Sequence, residues 1–213
     1  MTRPEAKEKT VEEQAAAGMR PSPACGPRPS PWVARFAHLV ALGAPVLDVA
    51  CGQGRHSLFF LERGHKVTAV DIEIGAMAAL SGRAGLELVQ ADLEGPGGAA
   101  ALAVMSGALG APGGAWPFGG RQFGAVVVVN YLWRPLFPAL IAAVAPGGVL
   151  LYDTFGVGQE RFGRPRNPDH LLRPGELLEA VRGKLEVRAY ECGEVGEPIA
   201  AVRQSLCAVR KPN

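Results

Sequence analysis

The chain has 213 residues, enough for one domain with a substantial core. Hydrophobic residues make up 48% and charged residues 20%, and 22 Lys and Arg against 20 Asp and Glu leave a net charge of +2. That is the balance of an ordinary globular protein, and it argues against a nucleic-acid or membrane-surface partner. The longest apolar runs, such as Ala125–Val129 and Gly148–Leu151, fall far short of a membrane span. Cys25, Cys51, Cys192 and Cys207 form no CxxC pair and share no ligand spacing with the four histidines, so no metal site is expected. They read as reduced thiols used as small apolar residues, in a cytoplasmic setting.

Residues 1–31 mix charges, alanines and the run PSPACGPRPSP, with no apolar signal-peptide core. They are expected to be a flexible tail, with Met19 as an alternative start, ahead of a single domain over 32–213. Trp32, Phe36, Leu39 and Val40 recur at helical spacing, and Gly43 closes that helix. Val46–Ala50 is a short apolar strand, followed by a glycine loop and a helix to about Arg63, capped by Gly64. Lys66–Val70 is the second strand, ending at Asp71, and Ile74–Arg83 a helix. Leu86–Ala91 is the third strand, ending at Asp92. The Gly/Ala-rich stretch Glu94–Gly120 breaks the alternation, with a helix expected over Ala99–Leu109.

Phe123–Val129 is the fourth strand, its unbroken valines suited to a position covered on both faces. A helix over Pro135–Ala145 ends at Pro146-Gly147-Gly148, and Val149–Asp153 is the fifth strand. After an irregular stretch, a helix over Pro174–Arg182 precedes two closing strands, Leu185–Glu191 and Ala200–Val209, expected to pair antiparallel. Alternating strands and helices indicate a doubly wound α/β sheet. Ligands of such sheets lie beyond the carboxyl ends of the strands, where Asp48–Gly54, Asp71, Asp92, Asn130 and Asp153 all fall.

The loop in VLDVACGQGRHS carries Gly52 and Gly54, which let backbone approach a ligand closely. A dinucleotide loop would have a third glycine where Ser57 stands, and Asp48 would repel a pyrophosphate. A ligand with an ammonium group and no phosphate suits this loop better, and S-adenosylmethionine is such a ligand. Asp48 then serves its amino end, directly or through water, and Gly52–Gly54 the sugar. Asp71 serves the ribose hydroxyls, and Asp92 with Leu93 the adenine.

The segment VLDVACGQGRHSLFFLERGHKVTAVDI resembles the first two motifs of class I S-adenosylmethionine-dependent methyltransferases. Within it, GQGRHSLFFLERG is similar to the branch containing the tellurite-resistance-type enzymes. VVVVNYLWRPLFPALIAAVAPGGVLLYDTF resembles the family's fourth- and fifth-strand motifs. The resemblance covers roughly Pro31–Arg210. It implies a mostly parallel seven-stranded sheet with an antiparallel last strand, a methyl donor converted to S-adenosylhomocysteine, and a small-molecule acceptor. It also implies a donor site of Asp48, Ala50, Cys51, Gly52, Gly54, His56, Asp71, Ile72, Asp92, Leu93 and Asn130. Ala50 stands where the family often has glycine.

On the acceptor side, Asn130, Tyr131 and His170 are the candidate catalytic residues, with Asp153 a further candidate base. Arg161, Arg164, Arg166 and His170 are suited to an anionic acceptor. Methyl transfer needs alignment and exclusion of water rather than a protein nucleophile, which fits the absence of a Ser/His/Asp or Cys/His set. A nicotinamide-dependent oxidoreductase and a non-catalytic donor-binding protein are the alternative readings. A monomer or a homodimer is expected.

Overall fold

The computed structural model describes residues 28–95, 116–196 and 199–212. The helix expected over Ala99–Leu109 and the alternative start at Met19 lie outside them. Seven strands form one sheet: β1 (Val46–Val49), β2 (Val67–Asp71), β3 (Leu86–Gln90), β4 (Phe123–Val129), β5 (Val144–Phe155), β6 (Glu186–Val195) and β7 (Ala201–Val209). Their order is β3-β2-β1-β4-β5-β7-β6. β1 pairs in parallel with β2 and β4, and parallel pairing continues outward to β3 and β5, while β7 runs antiparallel between β5 and β6. The order therefore reverses between β1 and β4, and a crevice opens at their carboxyl ends.

Side-chain alternation divides the core between the two faces of the sheet. Leu47, Val49, Val126, Val128, Leu150 and Tyr152 pack on one face with Leu140 of α3 (Phe137–Ala142) and Leu177 of α4 (Glu176–Val181). Val46, Ala125, Val127, Val149 and Leu151 pack on the other with Trp32 of α1 (Pro31–Phe36) and Phe60 of α2 (Arg55–Leu61). The valine run of β4 is buried from Ala125 to Val129, as coverage on both faces requires. Among the described residues, no helix is long and apolar enough to cross a membrane.

Tertiary context reshaped several local expectations. The helix expected over Ile74–Arg83 is a 3-10 helix, Gly75–Leu80, and the first helix breaks after Phe36 into a 3-10 turn over Ala37–Leu39. α3 ends at Ala142, because Val144 already pairs with Phe123. Pro146-Gly147-Gly148 consequently forms an irregularity inside β5 rather than a turn before it. A Cβ at Gly148 would lie 2.9–3.1 Å from the carbonyl oxygens of Ala145, Phe123 and Gly124, so only glycine admits this close pass. The closing strands do pair antiparallel, with β6 continuing to Val195.

Ser30 falls within the stretch 1–31 expected to be a tail, and it is tied into the domain. Ser30 is buried, caps α1 by accepting from the Trp32 N–H, and donates its own N–H to His56 Nε2 (3.1 Å). Its hydroxyl donates to Asp153 Oδ2 (2.6 Å).

Candidate active site

The glycine loop leaves β1 through Ala50, whose φ of +51° is a left-handed conformation costing about 1 kcal/mol or more for a residue with a Cβ. Glycine would adopt the same conformation without that strain. The Cys51 N–H donates to the Val70 carbonyl (3.1 Å) and the Gly54 N–H to the Cys51 carbonyl (2.9 Å), which curls the loop over the end of β1. Burial, then the charges of Asp48 and Asp71, push the Cys51 thiol up to about 12, so it stays a protonated apolar side chain.

The two glycines have different reasons. Gly52 has φ +54°, and a Cβ there would sit in open space on the loop's outer face, so the backbone is bare where a ligand would lie. Gly54 has φ +76°, and its Cβ would fall 2.1 Å from Met77 Sδ and 2.8 Å from Leu80 Cδ1. Gly54 thus lets the loop seat on the Gly75–Leu80 turn. Gly54→Ala is expected to cost about 2–3 kcal/mol from overpacking and left-handed strain, lowering the thermal midpoint by roughly 5–10 °C. A midpoint within 2 °C of wild type would show that Met77 yields freely.

Asp71 closes the loop from β2. Its Oδ2 accepts from the Gly52 N–H (2.8 Å) and its Oδ1 from the Glu73 N–H (3.0 Å), leaving a second lone pair on each oxygen. The next residue, Ile72, is 61% exposed, an apolar surface of the kind a flat ring covers. Asp92 is exposed and turns back to accept from the Glu94 N–H (2.9 Å), while Leu93 is buried in the core with Val70 and Phe118.

Asp48 lies beneath the loop rather than on its face. It is buried, accepts from the Ser57 hydroxyl (2.6 Å), and has His56 Nδ1 4.0 Å from its Oδ1. Burial pushes its carboxyl up to about 6 against the Ser57 hydrogen bond, and burial pushes His56 down to about 4. His56 is therefore neutral at pH 7, with Nε2 accepting from Ser30.

A cleft of about 490 Å³ opens beside the ends of β4 and β5, lined by Glu94, Asn130, Tyr131, Leu132, Thr154, Phe155, Arg164, Pro165 and His170. It brings His170 together with the consecutive pair Asn130 and Tyr131, some forty positions earlier. Asn130 has φ +57°, a conformation asparagine tolerates, and its Oδ1 accepts from Arg203 Nη2 (2.8 Å). The Tyr131 hydroxyl is buried and finds no hydrogen-bond partner among the described residues. Burial, then the nearby Glu94 carboxylate, raise its pKa, so the phenol stays a hydrogen-bond donor rather than a base. His170 is exposed in the short turn Pro168–His170, which Arg134 fixes by donating to the carbonyls of Asp169 (2.7 Å) and Leu171 (2.8 Å) and to Glu176.

Asp153 does not line the cleft. Its buried carboxylate accepts from Ser30, Ser205 (2.8 Å) and Arg203 Nε (2.8 Å), which ties strand ends together and leaves it no role as a base. Arg161 is paired with Glu194, whereas Arg164 reaches the cleft. Arg203, Arg134 and Ser30 escaped the sequence reading. The one available signal was that Arg203 is the sole charged residue of β7.

Comparison with known proteins bears on this geometry. The family described as "Methyltransferase domain" matches residues 46–148. No curated protein matches the chain. TehB from Haemophilus influenzae is 18% identical with a TM-score of 0.60. The match covers 84% of this chain and 61% of TehB, so this chain spans less than two thirds of that protein. A SAM-dependent methyltransferase from Methanosarcina mazei is 14% identical with a TM-score of 0.61, covering 88% of this chain and 100% of the other. The 1,6-didemethyltoxoflavin-N1-methyltransferase of Burkholderia thailandensis, solved with 1,6-didemethyltoxoflavin and S-adenosylhomocysteine, is 21% identical with a TM-score of 0.57, covering 85% and 77%. The matched domain spans the glycine loop through β4, and the whole sheet has the fold these structures share. Residues 46–148 accordingly match a methyltransferase domain, and the sheet has the fold of the S-adenosylmethionine-dependent methyltransferases it is similar to.

Proposed function

We propose that this protein transfers the methyl group of S-adenosylmethionine to a small organic acceptor held in the cleft beside β4 and β5, releasing S-adenosylhomocysteine. The observation that carries the reading is the juxtaposition of the bare Gly52 backbone, the Asp71 carboxylate and the exposed Ile72 on the donor side. These residues fit the donor: Asp71 accepts from the ribose hydroxyls, the exposed Ile72 covers the adenine, Asp92 bonds its amino group, and Leu93 backs this end of the site from the core. Ala50, Cys51 and Gly54 set the course of the loop, and His56 and Asp48 lie under it, where the Asp48 charge favours the amino end. Asn130 stands at the junction of donor and acceptor.

The bound donor supplies an electrophilic methyl carbon. The chain's own residues align the acceptor, exclude water and manage the acceptor's proton. Tyr131 donates a hydrogen bond, and the exposed His170 imidazole takes the proton of an O–H or N–H acceptor. The free thiols of Cys51, Cys192 and Cys207 support a reducing, cytoplasmic setting. A monomer or homodimer is proposed as the working form.

Calorimetry with S-adenosylmethionine, S-adenosylhomocysteine and NAD tests the donor. Micromolar binding of the first two without NAD is the expected result, and NAD binding with neither sulfur ligand would overturn the reading. The same titration against pH tests Asp48. Near pH 7.5 the carboxylate is ionised and affinity for the cationic donor is at its highest. As pH falls through the Asp48 pKa of about 6, the proton competes with the ligand's ammonium, and affinity drops by up to about tenfold per unit. His56 is neutral across this window. Affinity that is flat from pH 7.5 to 5 would remove Asp48 from the site.

A further inference from the structure

The walls of the cleft carry a chemical bias. Tyr131, Phe155, His170 and Pro165 contribute four rings, and Leu132 adds an aliphatic side. Phe155 is stiffened by the Arg203 guanidinium 4.7 Å over its ring, and Tyr131 packs partly against the core beneath it. Against these flat surfaces stand the Tyr131 hydroxyl and the Asn130 amide, while the exposed Arg164 and Glu94 also line the cleft. The Tyr131 hydroxyl is buried without a partner among the described residues. Asn130 has its carbonyl oxygen committed to Arg203, which leaves its NH2 group as the free end.

A buried phenol without a partner costs about 1–3 kcal/mol until something accepts from it. The cleft's volume falls in the range of about 300–1,000 Å³ typical of sites for organic ligands. A lone chalcogen oxyanion would fill little of that space and would leave the ring faces uncovered. Aromatic walls favour a flat π-system, which stacks or meets their edges, over a saturated ring of equal area.

We propose that the cleft binds a planar aromatic or heteroaromatic acceptor, seated among Tyr131, Phe155 and His170. An oxygen or ring nitrogen of that acceptor takes hydrogen bonds from the Tyr131 hydroxyl and the Asn130 amide. The inference rests on the donor reading only for the identity of the cleft as the acceptor side. The seat itself stands on the wall residues.

The test is calorimetry of the full chain, with and without saturating S-adenosylhomocysteine, using 4-hydroxyquinoline, its saturated counterpart decahydroquinolin-4-ol, and tellurite as probes. The expected result is that 4-hydroxyquinoline binds at least tenfold more tightly than the saturated compound, with tellurite weaker than both. Tyr131→Phe is expected to weaken the aromatic probe about five- to tenfold while the thermal midpoint of the free protein stays the same or rises, because the variant removes a buried hydroxyl without a partner. Equal binding of the two ring compounds, no binding of the aromatic one, preferential binding of tellurite, or indifference to Tyr131→Phe would each overturn the proposal. Failure of S-adenosylhomocysteine to bind would count against the donor reading alone, because the ratio of ring probes is read in its absence too.

Discussion

Asp71→Ala is expected to raise the dissociation constants of S-adenosylmethionine and S-adenosylhomocysteine by about ten- to one-hundredfold, or about 1–3 kcal/mol. The carboxylate already accepts from the N–H groups of Gly52 and Glu73, so it is held at the loop before any ligand arrives. Its remaining lone pairs face outward from a partly exposed residue at the end of β2. A ribose diol donating to a fixed carboxylate makes charge-assisted bonds, which are stronger than neutral ones. In the variant, water replaces the lost acceptor for both N–H groups, and the fold should lose little stability. Asp71→Asn should fall between, because its amide keeps one acceptor oxygen but presents a second donor toward Gly52. Calorimetry of the three proteins checks the series. Unchanged affinity in Asp71→Ala would place the ribose elsewhere.

The second large effect concerns stability. Arg203 leaves β7 and spans β5 to reach β4, donating to Asp153 Oδ1 (2.8 Å), the Asp153 carbonyl (3.1 Å) and Asn130 Oδ1 (2.8 Å). Side-chain exposure is 19% for Arg203 and 6% for Asp153, so the pair is largely withdrawn from water. Removing one member of such a pair leaves the other charge buried and uncompensated, which costs about 3–5 kcal/mol. Ser30 and Ser205 still donate to Asp153 in Arg203→Ala, which favours the lower end, about 3 kcal/mol. The corresponding fall in thermal midpoint is roughly 6–12 °C. A double-mutant cycle isolates the pairing: Arg203→Ala with Asp153→Asn should lose less than the two single changes added together. Strict additivity, or a loss below about 1 kcal/mol, would mean that solvent reaches Asp153.

Asp48 and His56 show how neighbouring buried groups set opposite pH trends. The Asp48 carboxyl, raised from 3.8 to about 6, favours the fold at low pH, and that contribution, about 3 kcal/mol, fades as pH rises through this interval. His56, lowered from 6.5 to about 4, has its neutral form favoured in the fold. A contribution of similar size is lost as pH falls through that interval. Between pH 4 and 6 the two offset each other. The glycine loop therefore rests on a base whose combined stability is nearly level across mildly acidic pH.

Short-range pattern was enough for the frame of the site. The run VLDV followed by a bend, the spaced Gly52 and Gly54, and Asp71 after the next apolar run are local features, and their order places them at neighbouring strand ends of any doubly wound sheet. The valines of β4 and the antiparallel closing pair were equally legible, because burial on two faces and alternation leave their mark in composition. Tertiary structure alone decided the rest. That Asp48 sits under the loop, that Asp153 is a tie between strands, and that Gly54 answers to Met77 all depend on partners 9 to 123 positions away. The same holds for the cleft beside β4 and β5, where Asn130 and Tyr131 meet His170 because Arg134 draws the intervening segment back against β4. No period or motif encodes such contacts. They arise when the sheet closes and buried polar groups must find partners, and that choice is made in three dimensions.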